Sequence, residues 1–436
     1  MLLARYMKSI QTLYCSLERY VVSGKCVFTL AASLYLIALT SLSHAETKVV
    51  GYIPSWKGFK ATVDATDLTK ITHINISFLN PNLDGVFANG DEPVCMESGV
   101  GADISYLVTK AHNAGVKVLV SVAGGVIPSC SGSWIFLLQP AKRQVVIDNL
   151  IAFVDKYNLD GVDVDLEGEL LTNIDNAGNY TPFVKALSDA LKPKSKLLTC
   201  ATASYIGGMV PISSITYFDF VNIMSYDNIG PSWGNAGEEQ STFALAQSNI
   251  TTWKNRGLTK DKLVLGVPFY GYGFGTYKSD YDFKEIVNLS INNVDNDVVG
   301  NACAGCSYIT YNGIPTIRKK TRLALQEGSG IMIWQLAQDA TGGSSLLSAI
   351  HNEIALAVGS SSSSSMSSIS SSSAPASSSG SVISSASATS STNSGKSGGG
   401  GGGAINAMVL MMLSVFILLN IRQARSKNYS KNTSIK

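Results

Sequence analysis

The sequence predicts an α/β fold, a parallel eight-stranded (β/α)8 TIM barrel, on three observations. Eight short β-rich runs recur between about residues 46 and 358. Each is followed by a segment long enough for a crossover, and several of these have the apolar period of an amphipathic helix. One run carries an acid at every second residue, which puts a whole row of carboxylates on a single strand face.

In chain order the strands are expected at 49–53, 71–78, 116–122, 161–166, 197–203, 218–224, 263–267 and 330–335. The clearest helical stretches are 104–113, 144–157, 180–191, 242–256 and 316–326. A doubly wound open sheet is the rival arrangement. It would carry a Gly-rich nucleotide loop after its first strand, and Gly51-Tyr52-Ile53-Pro54 is not one. The stretch from about 272 to 329 is too short for a large inserted domain, so an open, shallow cleft is expected.

The two ends have a different character. Residues 1–45 place Arg5, Lys8, Arg19 and Lys25 before and around an apolar run at 27–42, and Ser43-His44-Ala45 follows. That order predicts a signal peptide cleaved after Ala45, with the barrel domain at 46–358. Residues 359–403 are mostly Ser and then Gly, too polar to offset the entropy of ordering, and read as a disordered linker. Residues 404–421 form an apolar run long enough for a transmembrane helix, and a basic tail at 422–436 would remain in the cytoplasm. The Gly run, apolar helix and basic cluster resemble bacterial sorting signals cut inside the membrane; a permanent tether is the alternative. Either way the expectation is an exported chain, extracellular or at the cell surface, associated with a membrane only through this C-terminal segment.

Of 33 basic and 31 acidic residues in the chain, the ends hold ten and one, which leaves the middle with a net charge of −7. Such a body has no footprint for nucleic acid and suits a neutral ligand. The four histidines show no ligand spacing, so neither a metal nor another cofactor is expected. Beyond the leader lie five cysteines. In an oxidising compartment Cys303 and Cys306 can close a tight loop and Cys95 can join Cys130, with Cys200 left as a buried thiol. A monomer is expected.

Residues 160–167 read Asp-Gly-Val-Asp-Val-Asp-Leu-Glu. Strand alternation puts Asp163, Asp165 and Glu167 on one face and Val162, Val164 and Leu166 on the other. The apolar face can meet the helices, so the acidic face must point into the barrel and toward its mouth. Three crowded, partly desolvated carboxyls cannot all ionise cheaply, so the cluster should keep a proton near neutral pH. Glu167, at the open end, is placed to use that proton as a general acid. Asp160 begins the strand at the opposite end and reads as structural.

The pattern Asp160-x-x-Asp163-x-Asp165-x-Glu167 resembles the signature of glycoside hydrolase family 18, the chitinases and endo-β-N-acetylglucosaminidases. Other segments resembling the family follow in order over about residues 48–340. They are Gly51-Tyr52, Asn75-Ile76-Ser77-Phe78, Ser121-Val122-Ala123-Gly124-Gly125, Met224-Ser225-Tyr226-Asp227, Leu265-Gly266-Val267-Pro268 and Ile331-Met332-Ile333-Trp334. In the third, Ala123 replaces the first Gly of a Ser-x-Gly-Gly motif, and the extra methyl is expected to cost little.

The resemblance implies hydrolysis of chitin or N-acetylglucosamine oligosaccharides with retention, the substrate's own acetamido oxygen acting as nucleophile. It assigns Glu167 as acid and then base, Asp165 to orient the acetamido group, Asp163 to share a proton with Asp165, and Tyr226 to hydrogen-bond the acetamido oxygen. Asp227, Met224, Tyr52 and Phe78 would line the sugar site, and Trp334 would be its apolar floor. An open cleft favours internal cleavage. Trp56, Trp134 and Trp233, in loops after the first, third and sixth strands, are further candidate sugar platforms. Two alternatives remain at this stage: an endo-β-N-acetylglucosaminidase acting on N-glycan cores, and a non-catalytic chitin-binding lectin. The second would be expected to lack the terminal acid of the signature, and Glu167 is present.

Overall fold

A computed structural model describes residues 47–367. The expected signal peptide at 1–45, most of the expected Ser/Gly-rich linker, the expected transmembrane helix at 404–421 and the basic tail lie outside the described residues. Eight parallel strands close into a barrel: β1 Lys48–Pro54, β2 His73–Leu79, β3 Lys117–Gly124, β4 Gly161–Leu166, β5 Leu197–Thr202, β6 Phe220–Ile223, β7 Leu263–Pro268 and β8 Gly330–Trp334, with β8 pairing back onto β1. Every expected strand is present, with ends displaced by two residues at most.

Alternation decides what each strand face meets. On β4, Val162, Val164 and Leu166 are buried in the main core between sheet and helices. The helix α4 Arg143–Lys156 supplies Val146, Ile147, Leu150, Phe153 and Val154 to that core, one stripe at helical spacing. Burying each such side chain stabilises the fold by about 1.5–3 kcal/mol. Inside the barrel a second, smaller cluster of Val50, Tyr52, Phe220, Val264 and Met332 fills the space beside the acidic strand.

The other helices are α1 Phe59–Ala65, α2 Val100–Asn113, the short α3 Trp134–Leu137, α5 Gly168–Asn176, α6 Tyr180–Leu191, α7 Phe243–Asn255, α8 Phe283–Leu289, α9 Ile314–Glu327 and α10 Leu346–Ser367. The end of α10 enters the Ser-rich stretch. Among the described residues no helix is long and apolar enough to cross a membrane.

The segment between β7 and β8 is more ordered than its sequence suggests. Tyr270–Phe274, Asp280–Asp282, Val298–Gly300 and Tyr308–Thr310 form a four-stranded antiparallel sheet. Its strands are only three to five residues long, and glycines interrupt the longest, so they carry no readable alternation. Cys303 and Cys306 are bonded within this insert, and Cys95 is bonded to Cys130, joining the loops that follow β2 and β3. Cys200 is free and buried on β5.

The backbone corrects one expectation. Ala123 sits at φ 77°, in the left-handed region where a Cβ costs roughly 1–2 kcal/mol. Its methyl is therefore a real strain at the end of β3, not a minor one.

Candidate active site

Register builds the site. Parallel pairing of β3 with β4 sets Ser121 beside Asp163 and Ala123 beside Asp165, and β5 sets Thr199 beside Asp163. Asp163 is fully buried and accepts hydrogen bonds from the hydroxyls of Tyr52 (2.7 Å), Ser121 (2.8 Å) and Thr199 (2.5 Å). Asn222 Nδ2 adds a longer contact at 3.4 Å. Burial pushes the Asp163 carboxyl up, and these donors pull it back.

Two residues on, the surroundings change. Asp165 is also buried, but its Oδ1 has no hydrogen-bond partner. Burial, then the charges of Glu167 and Asp163, push its carboxyl well above the usual range. Glu167 stands at the end of β4 as the residue before α5. Burial, and then the charge of Asp227, push its carboxyl up to about 7. A Cβ on Gly125 would lie 2.9 Å from Glu167 Oε1, so a larger residue there would displace the carboxyl. The preceding Gly124, at φ 87°, passes so close to the Phe78 ring that a Cβ would meet it at 2.5 Å.

A cleft of 530 Å³ opens above this strand, at the C-terminal ends of the barrel strands where chemistry on this fold resides. Tyr52, Phe78, Asp165, Glu167, Met224, Tyr226, Asp227 and Trp334 all line it, and Asp163 lies beneath. Trp334 is half-buried and stacks on Phe78 with centroids 5.4 Å apart, while Tyr52 meets its ring edge-on at 5.6 Å. Trp56, half exposed, continues the aromatic row, 5.9 Å from Phe78. Tyr226 stands against Met332, with its hydroxyl 3.9 Å from the sulfur.

The loop tryptophans separate. Trp134 is no platform: it is buried, and its indole N–H donates to Asn80 Oδ1 at 2.8 Å. Trp233 is exposed and donates to the Asp227 carbonyl at 3.0 Å. Asp160 lies at the closed end of the strand, held by Val118 N–H (2.7 Å) and the His112 ring (2.8 Å).

Three neighbours of the site escaped the sequence reading. Tyr270, on the first strand of the insert, donates its hydroxyl to Asp227 Oδ1, and Tyr272 packs edge-on against both Tyr270 and Trp233. The signal was present in the Tyr-Gly-Tyr-Gly-Phe run directly after β7, where side chains rise from the barrel's open face. Asn80 lines the cleft and donates Nδ2 to the Ala123 carbonyl at 3.0 Å, which braces the strained end of β3. Among the described residues no group of side chains has the makings of a metal site. The arrangement is a desolvated carboxyl, raised toward neutral pH, at the edge of a cleft lined by aromatic rings.

Comparison with known proteins points the same way. The model of the glycosyl hydrolases family 18 matches residues 48–339. Among solved structures, the chain is similar to a family 18 chitinase from the chitin utilization locus of Flavobacterium johnsoniae. That pair is 35% identical with a TM-score of 0.61, over 71% of this chain and 94% of the other. A chitinase from Bacteroides thetaiotaomicron is 26% identical, with a TM-score of 0.60 over 71% of this chain and 96% of that one. Chitinase A1 of Niallia circulans is 24% identical, and the match covers 70% of this chain but only 58% of that protein.

Proposed function

This chain belongs to the glycosyl hydrolases family 18, and from that premise we propose that it is a chitinase, cleaving β-1,4 bonds between N-acetylglucosamine units with Glu167 as general acid and base. The observation that carries this reading is the carboxyl of Glu167, pushed up to about 7 at the rim of an aromatic-floored cleft. An acid with that affinity keeps its proton near neutral pH and gives it up readily, as protonation of a glycosidic oxygen requires.

In the proposed reaction the scissile sugar rests on Trp334, whose flat apolar face suits the C–H face of a pyranose. Glu167 protonates the oxygen that leaves. The acetamido oxygen of the same sugar attacks the anomeric carbon and forms an oxazolinium ion, with retention after water reopens it. Asp165, with an unused acceptor, takes the acetamido N–H and stabilises the positive charge that develops there. Asp163, held by its ring of donors, tunes Asp165 from below. Tyr226 reaches the acetamido oxygen, and Asp227 and Met224 flank the sugar. Glu167 then removes a proton from the incoming water.

Chitin is preferred over an N-glycan core because the relative at 35% identity, matched over nearly its whole length, is a chitinase. Export to the cell surface or medium and internal cleavage belong to the same proposal. The test is hydrolysis of N-acetylglucosamine oligomers, read by mass spectrometry, by the native chain and Glu167→Gln. Turnover that falls about a thousandfold or more in the variant is the expected outcome. An equally active variant would sink the assignment of Glu167, and oligomers left intact by the native chain would sink the choice of substrate.

A further inference from the structure

Lys320 lies on α9, does not line the cleft, and is completely buried. Its ammonium donates to three oxygens, Ser241 O, Ser241 Oγ and Asn312 Oδ1, each at 2.7 Å. Burial pushes it down to about 7, with Asp297 and then Glu239 acting in the opposite direction. A fully buried lysine satisfied on all three N–H bonds is expensive to place and is rarely without consequence.

What it holds leads to the cleft. Ser241 Oγ donates onward to the Ser225 carbonyl at 2.7 Å, and Asn249 Nδ2 donates to Ser225 Oγ at 3.1 Å. Asn312 Nδ2 donates to the Ser241 carbonyl at 2.7 Å, and Asn228 N–H to the Gln240 carbonyl at 2.9 Å. Residues 240–241 are thus fastened along 225–228, and Lys320 is the clamp behind them. Ser225 is flanked by Met224 and Tyr226, and Asp227 follows; all three line the cleft. Asp227 takes up a left-handed conformation at φ 62°, so it needs surroundings that hold it there.

We propose that Lys320 is a positioning residue for the active site: through Ser241 and Ser225 it fixes the segment Met224–Asp227, and with it the separation of the Asp227 and Glu167 carboxyls. Asp227 is the charge that, after burial, raises Glu167. Loosening the segment lets Asp227 move away, and Glu167 then titrates lower. The other groups electrostatically linked to Glu167 are Asp165 on β4, Tyr226 after β6 and Tyr205 after β5. Of these only Tyr226 rides on the clamped segment, and as a neutral phenol it contributes no competing charge.

The link to activity rests on the reading of Glu167 as general acid, so the primary test does not use activity. The titration of the Glu167 side-chain carboxyl is followed by carbon NMR in the native chain, Lys320→Met and Ser241→Ala. The midpoint is expected to fall by about half a unit or more in Lys320→Met and by less, in the same direction, in Ser241→Ala. The alkaline limb of the rate profile on N-acetylglucosamine oligomers should move down by the same amount. A purely structural lysine would lower the melting temperature and leave the midpoint where it is; that result in a folded variant overturns the proposal. Should Lys320→Met fail to fold, Ser241→Ala decides alone, an unmoved midpoint again being the overturning result. A native chain inert on oligomers would defeat the chitinase reading, while the titration would still decide this one.

Discussion

The lower and upper parts of β4 present the same chemical group in opposite surroundings. At the level of Asp163 the neighbouring strands offer hydroxyls, from Ser121 on β3 and Thr199 on β5, and Tyr52 reaches across from β1. One level up, β3 offers Ala123 in place of a donor, and an oxygen of Asp165 is left without a partner. Both carboxyls are buried, so burial does not distinguish them. The difference is in the supply of hydrogen bonds: satisfied at the bottom, withheld at the top. A satisfied acid anchors the barrel interior, whereas an unsatisfied one is a cost to the fold.

Removing each acid in turn tests that contrast most severely. Asp165→Ala should lower kcat/KM by about a hundredfold or more. The same variant should raise the melting temperature near neutral pH, because it deletes an unpaired buried carboxyl. Asp163→Ala should do the reverse to stability. It strands three hydroxyl donors and should cost on the order of 3 kcal/mol, measured by urea unfolding. If the two variants changed stability in the same direction, the contrast between the two levels would be wrong.

The upper level also makes a pH-dependent prediction. The carboxyl of Glu167 is raised from its ordinary 4.5 to about 7 in the folded chain. A group raised on folding contributes stability that is full below its unfolded value and lost as pH climbs through its folded value. Glu167 should therefore weaken the native state progressively between those two values, by up to about 3 kcal/mol at the alkaline end. Glu167→Gln cannot ionise and should escape the loss. The two forms should have similar urea midpoints near about pH 4 and diverge by about pH 8, the variant being the more stable. Equal midpoints at both would mean that the site is better solvated than its geometry implies.

The legible part of the molecule was the part built on period. Asp163, Asp165 and Glu167 could be placed on one face because strand alternation admits no other arrangement, and the eight barrel strands were marked by their β-branched runs. The insert was not legible, since strands as short as Asp280–Asp282 cannot show a period and glycines interrupt Tyr270–Phe274. With it went Tyr270, the partner of Asp227. Trp134 was misplaced for a related reason: a loop tryptophan looks like a platform until its N–H is seen to be spoken for by Asn80. Lys320 was hidden within Arg318-Lys319-Lys320, which reads as a solvated face. Yet Ile317, Lys320, Thr321 and Ala324 are all buried at helical spacing, so the lysine stands on the apolar stripe of α9.

The smallest effect concerns the strand that withholds the donor. Ala123 holds φ 77° at the level of Asp165, and its carbonyl is braced by Asn80 at 3.0 Å. Glycine would adopt that conformation without the Cβ clash, which is worth roughly 1–2 kcal/mol. Part of this gain is returned, because glycine makes the unfolded chain more flexible by about 0.4–1 kcal/mol. Ala123→Gly should therefore stabilise by about 0.5–1 kcal/mol in urea unfolding, with kcat/KM unchanged. The unchanged activity is the informative half. Neither alanine nor glycine has a side-chain donor, so the substitution relieves the backbone and leaves Asp165 as unsatisfied as before. A fall in activity together with a gain in stability would show that strain at the end of β3, and not only the missing hydrogen bond, helps to set the upper carboxyls.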